Sequence, residues 1–195
     1  MAHINSIGAG MFSDLSIAID ADGSTAPASF DKAGFDALFA TEIPSVAGVP
    51  AAGTFVRVKD VREFPPMGNP PNIVNVPTFG QKSSQQIQGQ SDAPNIEITV
   101  NYVASDWASD SELGKAVGNG KTVAFRFALL NAEPTATSNV KYASTSAGLG
   151  TVQNTYWYWT GKVEALLVTP SLTDANQATI TITIQSKLYG AYTTA

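Results

Sequence analysis

Residues 178–188 read ATITITIQSKL, with Ile180, Ile182 and Ile184 at alternate positions and Thr179, Thr181, Thr183 and Gln185 between them. Successive side chains of a strand point to opposite faces. This period of two predicts a strand with one oily face and one polar face that carries no charge before Lys187. The same alternation recurs in residues 95–103 (NIEITVNYV), which set Ile96, Ile98, Val100 and Tyr102 toward a core. It recurs again in residues 121–130 (KTVAFRFALL), with Val123, Phe125, Phe127 and Leu129 inward. Residues 55–64 (FVRVKDVREF) predict a further strand, and residues 155–169 a long one bent near Gly161. Near the start, Leu15, Ile17 and Ile19 alternate and predict a strand that ends in an Asp22-Gly23 turn.

Other stretches break this pattern. Pro65, Pro66, Pro70, Pro71 and Pro77 lack backbone donors, so residues 65–78 are expected to hold no regular element. That leaves a long, stiff loop between strands, a feature that often carries function. Residues 81–90 (QKSSQQIQGQ) are polar but almost uncharged and predict an edge or pore-facing strand. Residues 30–40 (FDKAGFDALFA) predict a short helix presenting Phe35, Leu38 and Phe39. This helix either anchors an arm on a neighbouring subunit or packs on its own domain. Ser109-Asp110-Ser111-Glu112 has the form of a capping box, Leu113, Ala116 and Val117 give a narrow apolar stripe, and Gly118-Asn119-Gly120 ends the helix. Residues 131–154 form a Ser/Thr/Gly loop. The expected fold is mainly β: an antiparallel β-sandwich or partial barrel flanked by one short α-helix near 109–118, with a long inter-strand loop and an extended N-terminal arm. With no repeat or linker visible, residues 1–195 read as one domain, 1–54 being the arm and first strand region and 55–195 the sandwich core.

Composition narrows the function. Charged residues make up only 14% of the 195, against roughly 25% in ordinary soluble domains. Ser, Thr, Asn, Gln and Ala fill the deficit and suit surfaces that become buried between subunits. The net charge of −5 argues against tight binding to phosphate backbones, which reward Lys and Arg. The absence of cysteine excludes disulfides and thiolate metal sites. The start, MAHINSIGAGMF, has no basic region followed by an apolar stretch, so no signal peptide is expected. No apolar run approaches the roughly 20 residues of a membrane helix. A soluble, cytoplasmically made protein without a membrane partner is expected.

Catalytic and metal motifs fare poorly. Gly120-Lys121-Thr122 matches the end of a phosphate-binding loop, but Lys115 occupies the position of the required Gly, and the helix precedes the motif instead of following it. Asp20, Asp22, Ser24 and Asp31 match calcium-loop spacing, yet Thr25 replaces the sixth-position Gly and Asp replaces the bidentate Glu. His3 is the only histidine, and neither GxSxG nor HExxH accompanies it. Asp106 and Asp110 lie near a helix start, where they favour its dipole. Tyr156-Trp157-Tyr158-Trp159 splits across two strand faces, with Trp157 and Trp159 expected in a core and Tyr156 and Tyr158 at an interface. No enzyme activity, cofactor or metal is expected.

The order FVRVKDVREF, a long loop, SQQIQGQSD, NIEITVNYV, DSELGKAV and TVAFRFALL resembles that of major tail tube proteins of long-tailed, siphovirus-type bacteriophages, over residues 55–130. The last two strands complete the pattern. The resemblance implies a virion structural protein, made in the bacterial host cytoplasm, that self-assembles into stacked hexameric rings. Sheets of successive subunits join edge to edge into a barrel through which double-stranded DNA passes at ejection without sticking. Its partners would be further copies, other tail proteins at the tube ends and a tape measure protein in the lumen. The inter-ring stacking loop would comprise Phe64, Pro65, Pro66, Met67, Asn69, Pro70, Pro71, Ile73, Val76 and Phe79. Gln86, Gln88, Thr179, Thr181, Thr183 and Gln185 are candidates for the lumen wall, where an uncharged polar surface gives DNA little to hold. The competing reading is a β-sandwich binding module, a baseplate, adhesin or carbohydrate-binding domain that uses Tyr156 and Tyr158.

Overall fold

The computed structural model describes residues 13–19, 26–39, 55–68, 72–89, 95–129 and 155–193. In chain order the elements are β1 (Asp14–Ala18), α1 (Lys32–Leu38), β2 (Phe55–Val58), β3 (Val61–Glu63), β4 (Ile73–Val76), β5 (Gln85–Gln88) and β6 (Ile96–Asn101). Then come α2 (Glu112–Ala116), β7 (Val123–Leu129), β8 (Thr155–Thr169), β9 (Gln177–Ile184) and β10 (Tyr189–Thr193). All strand pairings are antiparallel, and the fold is the expected mainly β sandwich, flanked by two short helices.

One sheet supplies both layers. Its order is β2-β1-β7-β8-β9-β6-β3, with β10 added to β8. The hinge is β8. Its first half pairs with β7, ending at Val123↔Gly161, and its second half pairs with β9, starting at Gly161↔Ile184. The bend expected at Gly161 is therefore where the strand passes from one layer to the other. Glycine is needed there because a Cβ would lie 2.3 Å from the Thr183 carbonyl oxygen.

The second corner departs from expectation. Residues 55–64 are not one strand but two, broken at Lys59-Asp60, where Asp60 adopts a φ of 56°. Asp tolerates this left-handed conformation better than most residues, and its carbonyl accepts a hydrogen bond from Asn101 N at 2.9 Å. β2 and β3 therefore stand at opposite ends of the strand order while adjoining in the chain. The sheet thus comes back round toward its own start, and this makes it a partial barrel.

Between the layers lies the main core. Leu15, Ile17, Val56, Val58, Phe125 and Trp159 come from one half, and Ile96, Ile98, Val100, Ile180 and Ile182 from the other. Phe125 and Trp159 stack with ring centroids 5.4 Å apart, and Leu113 and Ala116 of α2 join the same core. The helix is capped by Ser111, whose Oγ accepts from Gly114 N, and not by Ser109 as the capping-box pattern suggested. The reason is local: Ser111 Oγ lies 2.7 Å from the Asp106 and Ala108 carbonyls and can donate to one of them, which ties the cap to the preceding turn. Gly118 and Gly120 take positive φ values of 65° and 70°, as a helix-ending Gly-Asn-Gly should. Gly120-Lys121-Thr122 simply leads into β7.

A second core covers the outer face of the first layer. Phe35 and Phe39 pack on Ala18, Phe55, Ala124, Ala128, Tyr156 and Tyr158. Phe35 stacks on Tyr158 at 5.1 Å. Asp31 caps α1 by accepting from Gly34 N at 2.8 Å, which with the Ser29 hydroxyl holds its carboxyl below the usual range. The predicted helix thus packs on its own sheet, the second of the two alternatives for that segment. The order of layers is helix, covered sheet, bare sheet.

Candidate assembly surface

Among the described residues no helix covers the outer face of the β8–β9–β6 layer, and this is the functional clue. Cross-strand partners share a face, so the rungs of β8, β9 and β6 identify what the outer layer presents. Leu167, Thr179 and Thr99 form one rung, Ala165, Thr181 and Glu97 the next, and Thr169, Gln177 and Asn101 the last. Lys162 pairs with Thr183, whose hydroxyl donates to Glu164 Oε1 at 2.7 Å. Thr179, Thr181 and Thr183 are half-exposed here, while Ile180 and Ile182 of the same strand are buried. The face is rich in threonine and amide groups. Pairing and hydrogen bonding place Glu63, Glu97, Glu164 and Lys162 on it, an acidic excess, with the Arg62–Asp174 ion pair at its end. Gln185, expected on this face, lies beyond the end of β9, where its backbone N donates to the Thr160 carbonyl.

The segment between β3 and β6 corrects the proline reading. Residues 73–76 form a strand after all, because Pro71 and Pro77 bracket it instead of interrupting it. β4 pairs with β5 as a separate two-stranded hairpin, through Ile73↔Gln88, Val74↔Ile87, Asn75↔Gln86 and Val76↔Gln85. β5 is thus not an edge of the main sheet. Every residue of both strands is exposed.

The pairing makes the hairpin two-faced. Val74, Val76 and Ile87 share one face with Gln85; Asn75, Gln86 and Gln88 share the other with Ile73. Phe79, at the turn, is fully exposed. Val74 and Ile87 belong to this apolar face although the stacking-loop expectation left them out; cross-strand register, invisible in one strand, brings them together.

The expected stacking residues therefore separate. Phe64 and Met67 pack against the main core, and Phe64 meets Phe127 edge-on with ring centroids 5.1 Å apart. Both are partly buried, in the loop that leads to the hairpin. Pro65 and Pro66 of that loop border a small apolar groove of about 160 Å³, together with Ile96, Ile184 and Leu188. Asn69, Pro70 and Pro71 lie outside the described residues, and Ile73, Val76 and Phe79 project. Gln86 and Gln88 lie on the hairpin and not in the threonine-rich layer that carries Thr179, Thr181 and Thr183.

Tyr156 and Tyr158 are not at an open interface. They are 2% and 1% exposed, beneath α1 and beside Tyr189 and Tyr192 of β10. Of the two tryptophans that alternate with these tyrosines, Trp159 is fully buried and Trp157 packs at the margin of the core. A sugar has no access to the tyrosine pair while the helix is in place. Of the calcium-spaced residues, Asp31 is engaged as a helix cap, and Asp20, Asp22 and Ser24 lie outside the described residues, as does His3. Among the described residues, no group of three or more His, Cys, Asp or Glu side chains could hold a metal ion. No described helix is long and apolar enough to cross a membrane.

Comparison of the sequence with protein-family models and with curated proteins returns no match.

Proposed function

We propose that the chain is a structural, non-enzymatic subunit that assembles into stacked hexameric rings, the tail tube of a long-tailed bacteriophage, and that the tube conducts DNA. The observation that carries this reading is the asymmetry of the two layers. One layer is covered by α1, while among the described residues the other presents a threonine-rich, mildly acidic face, beside an exposed apolar hairpin. A duct for DNA benefits from such a lining, since each cationic contact to phosphate adds affinity and slows passage. The second half of β8 supports the same reading. Beyond Val163, which bridges to Val117, residues 165–169 pair with β9 on one side and with no described strand on the other. An open border of this kind invites pairing with another chain. The protein would then reside in the virion tail after synthesis in the host cytoplasm, alongside end-capping tail proteins and a tape measure protein.

Negative-stain electron microscopy of the purified, concentrated chain tests the reading. Rings or tubes with a hollow bore are expected. A chain that stays monomeric at every concentration and ionic strength removes it.

A further inference from the structure

We infer that the apolar face of the β4–β5 hairpin docks onto the β8–β9 turn of a second copy, head to tail. The inference rests on the reading of the chain as a self-assembling subunit and names the surface that receives its hairpin.

Exposed large apolar side chains fall mainly into two groups. One is the hairpin, with Val74, Val76, Phe79 and Ile87. The other comprises Leu167 and Val168 near the end of β8, Leu172 in the turn that follows, and Val103 just past β6. Residues 65–68, which lead to the hairpin, line a groove with Asn95, Ile96 and Ile184, at the end of the sheet where β6 begins and β9 ends. The second group lies at the other end, beside the Thr169, Gln177 and Asn101 rung, where Tyr102 N donates to the Asn176 carbonyl. Five residue steps along β6, about 17 Å, separate the two ends.

Two different patches at opposite ends of one sheet cannot satisfy each other within a single molecule. A contact between unlike patches leaves one of each free on every pair, so it propagates, whereas a patch that meets its own copy stops at a dimer. Charge agrees with this pairing. The only charged residue in 72–89 is Lys82. The receiving end carries Asp106 in the turn after Val103, while Asp174 there is already balanced by Arg62 at 3.1 Å. A lone hairpin offers little area against the roughly 800 Å² per partner of a standard interface. A single docking is weak, and several made together by a ring are strong through effective concentration.

The chain has no cysteine, so introduced thiols report cleanly. Ile87 and Leu172 are 56% and 105% exposed, so Ile87→Cys and Leu172→Cys leave the core untouched. With a short bismaleimide, the double variant is expected to give a ladder of covalent multimers, and each single variant at most dimers. Adding Leu167→Asp to the double variant should lower ladder yield about tenfold, equivalent to about 1.4 kcal/mol of docking. Efficient dimers from Ile87→Cys alone, without a ladder from the double variant, mean that hairpins pair with each other and overturn the docking. No ladder while tubes form overturns the docking and leaves the tube. A ladder without tubes supports the docking and removes the tube. Neither ladder nor tubes overturns both.

Discussion

The Tyr158 hydroxyl donates a 2.5 Å hydrogen bond to Asp36 Oδ1, tying the middle of β8 to helix α1. Burial, and then that carboxylate, push the phenol's pKa well above its ordinary 10.0. The folded state therefore keeps a proton that the unfolded chain releases above pH 10. The contribution is fully present below pH 10 and is lost as pH rises from there toward the folded value. Urea titrations across pH 8–12 should show stability falling above pH 10. Tyr158→Phe should flatten part of that fall and cost about 1 kcal/mol at neutral pH. The cost is held down because Lys32 still pairs with Asp36 at 2.7 Å.

Gly161 admits no side chain. A Cβ there meets the Thr183 carbonyl oxygen at 2.3 Å and the Phe125 ring at 3.3 Å. Gly161→Ala forces the corner apart and should cost about 3 kcal/mol. Thermal unfolding measures it; an unchanged midpoint would mean that the corner yields freely.

The hairpin contributes its surface and little to the fold. β4 and β5 pair only with each other among the described strands. Replacing residues 72–89 with a short Gly-Ser linker should leave far-UV circular dichroism β-rich and lower the melting midpoint by only a few degrees. Filaments should disappear, leaving monomers or single rings by size-exclusion chromatography and microscopy. Long tubes from this variant would show that stacking does not depend on the hairpin.

Thr181 sits on the bare face, opposite Ala165 on one side and Glu97 on the other. Thr181→Lys places a cation where the proposed lining has an acidic excess. Being half-exposed, it should change stability by less than about 0.5 kcal/mol. Tubes should still form, and DNA release from particles carrying the variant should slow. Normal release kinetics would separate this face from the bore.

Where apolar residues alternated, the fold could be read directly from the chain. The Ile180, Ile182 and Ile184 series, the Phe125 and Phe127 series and the bend at Gly161 are legible because period and an isolated glycine are local properties, whereas the crossing between layers at that bend is not. Non-local facts were not. In residues 55–64 the corner at Asp60 shows only as a slip of phase, Val58 and Val61 standing three positions apart, and as an Asp that tolerates positive φ. Four residues between two prolines were hidden as a strand because β4 finds its partner in β5 and not in the main sheet. Tyr156 and Tyr158 looked exposed because their cover, Phe35 and Phe39, lies more than a hundred positions earlier. β10 is not legible in the sequence because YGAYT carries no alternation. For the assembly surface, the Thr face was legible, whereas the apolar hairpin face needed the register of two strands that single-strand patterns do not contain.

A single backbone crosses from the helix-covered layer to the naked one at Gly161, and at Asp60 the borders of the strand order adjoin in the chain. Neither plate can therefore be peeled away by sliding along its ladder; separating them means unzipping a strand that both need. A pull on the uncovered side travels through covalent bonds to the side held by α1, so the molecule bears load as one folded ribbon.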